Sequence, residues 1–226
     1  MRVLAVTHGP AVQPELFGDV VREHGHELRI WDIRTQGPPP RGSDAVLVFG
    51  GDQNVGEELR HPWLHDEYDA LRRFVAEETP LFAVCLGAQT LARAFGAEVS
   101  SIGTPLAGFY ETTLTDAGAA DPVLGVLPRR FEALNANGYA FTWPDEATVL
   151  AEGPVPQAYR IGGCAWAVQF HPEVRRDQVL DWFREEPSLP RTLDDLAHEL
   201  DEKLRAWQEL GRRLAGAFLR AAAAGH

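Results

Sequence analysis

Cys85 closes the apolar run Leu81-Phe82-Ala83-Val84, and a helical pattern from Leu86 to Phe95 begins immediately after it. That is the sequence form of a buried strand turning sharply into a helix, with one side chain presented at the helix N-terminus. The helix dipole and its free N–H groups favour a thiolate there, and any oxyanion formed beside it. Far downstream, Ala165-Trp166-Ala167-Val168-Gln169-Phe170-His171-Pro172-Glu173 reads as a strand ending in a histidine and a carboxylate two residues apart. Together these residues could perform acyl transfer: Cys85 as nucleophile, His171 as the base that takes the thiol proton and returns it to a leaving nitrogen, Glu173 as the acid that orients the imidazole. A free cysteine is most often a small buried hydrophobe, and a strand-end histidine alone would signify little. Only their combination points to chemistry. Cys164 opens an apolar strand with no base nearby in sequence and is read as structural.

The elements that must position these groups alternate between strand and helix. Val3 to Val6, Leu28 to Ile33 and Asp44 to Phe49 read as strands, with helices at about Pro14 to His24 and Pro62 to Glu78. Such alternation predicts an α/β fold, a mostly parallel open sheet with helices on both faces, whose ligand sites gather at the carboxyl ends of the strands. Gly50-Gly51, Cys85 and His171 all fall at such ends. Between Ser100 and Glu152 the pattern becomes strand-like, with turn clusters at Thr115 to Gly118 and Asn135 to Gly138, and predicts a small antiparallel excursion. From Leu193 to Leu219 apolar residues recur at nearly helical spacing, predicting a long amphipathic helix with a break near Gly211. The expected organisation is one domain over residues 1–190, with the helix at 191–226 packed on it or lying at a homodimer or partner interface.

These segments closely resemble the class I glutamine amidotransferases, roughly from Val3 to Val174. Cys85-Leu86-Gly87-Ala88-Gln89 matches the C-x-G-x-Q elbow of that family, and Phe170-His171-Pro172-Glu173 its later F-H-P-E. Gly50-Gly51-Asp52 stands where the family has a Gly-Gly oxyanion loop. Gln157 to Gly162 precedes the histidine strand as in the branch similar to the GMP synthetase glutaminase domain. The resemblance implies a flavodoxin-like glutaminase fold, an oxyanion hole made by the N–H groups of Gly51 and Leu86, and substrate contact by Gln89. It also brings Phe109, in Gly108-Phe109-Tyr110-Glu111, near the pocket. Two departures stand out. Ala83 replaces the glycine usual two residues before the cysteine. Asn135-Ala136-Asn137-Gly138-Tyr139-Ala140 looks like the Asn-His-Gly-aromatic-Ala loop of the carbamoyl phosphate synthetase glutaminase, with Asn137 in place of its histidine, which makes Gly138 and Tyr139 expected pocket residues.

Composition narrows the rest. The 226 residues suffice for one substantial α/β core, and 21 basic against 33 acidic residues give a net charge of −12, which opposes binding to nucleic acid or anionic lipid. Two cysteines without Cys-x-x-Cys spacing fit a reducing cytoplasm, and the N-terminus turns polar at Thr7-His8-Gly9, well short of a signal segment or membrane span. Neither zinc-ligand spacing nor a phosphate-binding glycine loop occurs, so no cofactor is expected. The acidic pairs Glu57-Glu58, Glu77-Glu78 and Glu185-Glu186 read as solvated surface. The expected activity is release of ammonia from a glutamine side-chain amide through a Cys85 thioester, with an ammonia-accepting synthetase on a separate chain. Two alternatives share the sequence: a γ-glutamyl conjugate or peptide hydrolase, and a non-catalytic binding subunit.

Overall fold

A computed structural model describes residues 1–184 and 191–225. The acidic pair Glu185-Glu186 and the boundary expected at 190 lie outside the described residues. Among those residues a nine-stranded sheet runs in the order β2-β1-β3-β4-β9-β8-β7-β5-β6. Its first half is parallel: β2 (Glu27–Asp32), β1 (Arg2–Thr7), β3 (Ala45–Val48), β4 (Leu81–Val84) and β9 (Ala165–Val168). Strands β3, β4 and β9 are buried along their whole length. They are the continuous apolar runs expected when helices cover both faces of a sheet.

The other half is antiparallel, through β8 (Pro156–Ile161), β7 (Ala147–Glu152), β5 (Val99–Leu114) and β6 (Arg130–Phe141). This section matches the parallel one in number of ladders. The turn expected at Asn135 to Gly138 lies inside β6. Asn135 and Asn137 are buried there, with their amides bonded to the carbonyls of Ala133 and Tyr139, so polar residues that usually make turns fold inward in a strand. The local irregularity falls on the partner strand instead, where the pairing shifts between Ser101 and Leu106. The other expected cluster becomes a short helix, Asp116–Ala120, capped by the Thr115 hydroxyl.

Helices α1 (Glu15–Glu23), α2 (Ile33–Gln36), α3 (Trp63–Ala76), α4 (Leu86–Ala94), α5 (Asp116–Ala120), α6 (Arg176–Phe183) and α7 (Leu193–Ala224) complete the described chain. Helix α7 is continuous through Gly211, which corrects the expected break. A Cβ at Gly211 would overlap the Pro172 carbonyl oxygen, so the glycine serves close approach of α7 to the His171–Glu173 segment. The stripe Leu196, Leu200, Leu204, Trp207 and Leu214 is buried against the rest of the chain. No helix among the described residues is long and apolar enough to cross a membrane.

Candidate active site

The carboxyl ends of β3, β4 and β9 bring the glycine pair, the cysteine and the histidine to one place. Cys85 joins β4 to α4 with φ 52° and ψ −109°, a conformation rare outside glycine. Holding it costs on the order of 1–3 kcal/mol, which the surroundings must supply. Its N–H donates to Val168 O at 2.9 Å, its carbonyl accepts from Gln89 N at 2.9 Å, and the next turn is fixed by Gly87 N to Phe49 O at 3.1 Å. Gly87 is required because a Cβ there would come within 2.6 Å of Val48 O. The elbow motif thus spaces a nucleophile two residues before the glycine that lets α4 close on β3.

His171 and Glu173 lie beyond β9, both buried, with Nδ1 of His171 2.8 Å from Glu173 Oε1. The backbone there is held from three sides: His171 N donates to Leu134 O at 2.8 Å, Trp207 Nε1 to His171 O at 2.8 Å, and Leu16 N to Glu173 O at 3.0 Å. Burial disfavours a charged imidazole. The Glu173 carboxylate and the Cys85 sulfur outweigh it through charge and hydrogen bonding, and the His171 pKa rises to about 10. Trp182 of α6 lies 4.8 Å from the imidazole, ring centre to ring centre. By contrast, Cys164 is half-buried at the other end of β9, and burial together with Glu78 pushes its thiol pKa up.

Gly50 and Gly51 pack directly against this pair. A Cβ at Gly50 would lie 3.2 Å from His171 Cε1 and 3.5 Å from Cys85 Cβ, and one at Gly51 would lie 2.7 Å from His8 Cβ. Leu86 opens α4, so its N–H has no intrahelical acceptor. A cavity of about 1060 Å³ opens here, lined by Gly51, Cys85, Asn137, Gly138, Tyr139, His171 and Trp182 among others. Asn137 Oδ1 is buried in this wall without a hydrogen-bond partner.

Not every residue expected in the pocket reaches it. Gln89 is buried with its amide nitrogen donating to Tyr139 O at 3.1 Å and Gln169 Oε1 at 3.2 Å. It ties α4 to the 137–139 wall and does not line the cavity. Phe109 stands away from the cavity as well, edge-on to Trp207 at 6.3 Å with the Lys203 ammonium over its ring. Alternation along β5 sends this ring toward α7. Sequence reasoning missed Trp182, which has no motif. It also missed His8, which carried a signal in its place at the end of β1, beside the other strand ends. Among the described residues no cluster of three or more His, Cys, Asp or Glu side chains could hold a metal ion.

A doubly covered α/β sheet with a strained cysteine elbow facing a histidine and a carboxylate defines a class of cysteine hydrolase-like domains. This chain belongs to the class-I glutamine amidotransferases, whose family model matches residues 16–179. It is 30% identical over 184 residues to a separate subunit of the glutamine-hydrolyzing GMP synthase of Ignicoccus hospitalis, covering 79% of this chain and 92% of that one. Identity to the corresponding GMP synthase subunit of Thermoplasma acidophilum is 28% over 164 residues, 70% of this chain and 78% of that one. The match to the glutamine-hydrolyzing GMP synthase of Aeropyrum pernix, 33% identical over 185 residues, takes 78% of this chain but only 34% of that longer protein. In fold, the crystal structure of a glutamine amidotransferase from Methylobacillus flagellatus superposes with a TM-score of 0.87 at 19% identity, over 97% of this chain and 94% of that one.

Proposed function

We propose that this protein hydrolyses the side-chain amide of glutamine, or of a γ-glutamyl compound, and releases ammonia through a Cys85 thioester. The observation that carries this is the His171 imidazole, fixed by Glu173 at 2.8 Å and raised in pKa by that carboxylate and by the sulfur of the elbow cysteine. Cys85 Sγ adds to the amide carbonyl while His171 takes the thiol proton. The N–H groups of Gly51 and Leu86 receive the oxyanion, and the C–N bond breaks as His171 protonates the departing nitrogen. Water then adds to the thioester with His171 as base, the C–S bond breaks, and the γ-carboxylate leaves with the thiol restored. Asn137 Oδ1, an unpartnered acceptor in the wall, supports recognition of a substrate N–H group beside Gly138 and Tyr139.

The relatives named as separate GMP synthase subunits support delivery of the ammonia to a synthetase on another chain. The size of the cavity favours a second reading within the same chemistry. At about 1060 Å³ it matches the upper end of the range for drug-sized ligands, roughly 300–1,000 Å³, and leaves room for an amine substituent that glutamine lacks. Ammonia and glutamate release should therefore be measured on glutamine and on a series of γ-glutamyl amines and peptides, with Cys85→Ser as control. Turnover confined to the conjugates selects the second reading. Absence of turnover on every compound, together with no Cys85 adduct from an electrophilic glutamine analogue, would overturn both readings in favour of a non-catalytic binding role.

A further inference from the structure

A buried polar chain unused by the chemistry above lies directly beneath the glycine pair. His8, at the end of β1, places Nδ1 3.0 Å from Gly50 O and Nε2 2.8 Å from Glu67 Oε2 of α3. Glu67 Oε1 accepts from the Thr90 hydroxyl of α4 at 2.8 Å. The His8 and Glu67 side chains are 0% and 1% exposed, so water does not compete for these bonds. Trp63 stacks on the imidazole at 5.2 Å. A carbonyl oxygen only accepts, so Nδ1 carries a proton. Burial opposes a second proton, but the Glu67 charge, the bonds to Glu67 and Gly50, and the more distant Asp32 carboxylate raise the His8 pKa above its ordinary value.

We infer that His8 is a positioning residue for the oxyanion hole: its Nδ1–H holds the Gly50 carbonyl and thereby turns the Gly51 N–H toward Cys85. A trans peptide points its C=O and N–H in opposite directions, and no cis bond occurs among the described residues. With the Gly50 oxygen drawn down to His8, the Gly51 N–H faces the other side, where Gly51 lines the cavity with Cys85 and His171. Glycine at both positions leaves the peptide free to rotate, so its direction needs an external anchor. The same chain reaches α4 through Thr90, the helix that opens with the Leu86 N–H. One network therefore ties together both donors assigned to the oxyanion.

This inference rests on the amide-hydrolysis reading, and its test separates the two. Glu67→Gln provides the background, because it removes the buried charge while its amide can still meet His8 Nε2. In that background His8→Asn keeps a donor near the Nδ1 position, whereas His8→Leu has none. Relative to Glu67→Gln, the Asn variant should hold kcat within about threefold, and the Leu variant should lose roughly 10²-fold in kcat with KM little changed. Alkylation of Cys85 by iodoacetamide, which needs no oxyanion hole, should be alike in all three. A Leu variant as active as the background, or an Asn variant as impaired as the Leu one, overturns the inference and leaves the hydrolase reading standing. If the unmodified protein hydrolyses no amide, that reading fails, and crystal structures of the two double variants decide. Rotation of the Gly50 carbonyl in the Leu variant alone supports the anchor, and an unmoved peptide in both overturns it. The unmodified protein gives a further measurement whether or not the variants fold: ¹⁵N NMR should find Nδ1 of His8 protonated, and an imidazole protonated on Nε2 alone would overturn the inference.

Discussion

Glu173 uses one carboxylate oxygen on His171, and the other is buried without a protein partner. A residue in that position orients and stabilises the imidazole but does not touch the carbon under attack, which ranks the expected effects. His171→Ala should lower kcat by roughly 10⁴-fold or more, and Glu173→Gln by less, measured on whichever amide the protein turns over. The reverse order in two folded variants would exchange the assigned roles. Cys85→Ser should abolish labelling by an electrophilic glutamine analogue. Cys164 should stay unlabelled, since its thiol is half-buried with its pKa raised. An adduct on Cys164 would count against the elbow as the reactive site.

Among the elements, α7 and β6 affect the site from opposite sides. Helix α7 crosses behind His171 at Gly211, with Trp207 Nε1 bonded to the His171 carbonyl and its ring stacked on Phe131 at 6.1 Å. Trp207→Phe keeps most of the packing but leaves that buried carbonyl unpaired, a loss of about 1–3 kcal/mol measurable by urea unfolding. A midpoint equal to that of the unmodified protein would show the bond to be dispensable. On β6, Gly138 faces the cavity, and its nearest obstruction to a Cβ is Pro105 Cγ at 3.9 Å. Gly138→Leu should therefore fold, raise KM or block binding, and leave iodoacetamide alkylation of Cys85 intact. Equal loss of both reactions would mean that the residue shapes the elbow and not the substrate wall.

Across the whole molecule, the two buried histidines make stability depend on pH. Both have folded pKa values above the ordinary 6.5, with His171 near 10. A raised histidine contributes fully below its unfolded pKa and loses that contribution as pH climbs toward the folded value. Unfolding free energy should therefore fall from about pH 6.5 upward, by roughly 1 kcal/mol per pH unit for each histidine titrating in the window. His171→Gln should flatten the slope between about pH 7 and 9 in urea titrations, and an unchanged slope would exclude His171 as its source. Burial of the α7 stripe predicts that a chain ending at residue 190 will be molten or insoluble, because Leu196, Leu200, Leu204 and Leu214 belong to the core. A soluble truncation with native near-ultraviolet dichroism would contradict that.

Local sequence determined the strand ends and the elbow. A four-residue apolar run followed by Cys-Leu-Gly-Ala-Gln leaves few conformations for Cys85, because Gly87 is needed where α4 meets β3. Alternating strands and helices likewise made the α/β class legible, since periodicity reports which faces are buried. The extent of the antiparallel section was not legible, because which strands pair depends on neighbours distant in sequence. The partners of individual side chains were hidden for the same reason. Gln89 spends its amide on Tyr139 and Gln169, Phe109 packs on Trp207, and Gly211 yields to Pro172 without breaking its helix. His8 shows the division most clearly. Its type and its place at a strand end were readable, but its bonds reach residues 42 and 59 positions away, and only the folded chain brings Gly50 and Glu67 to it.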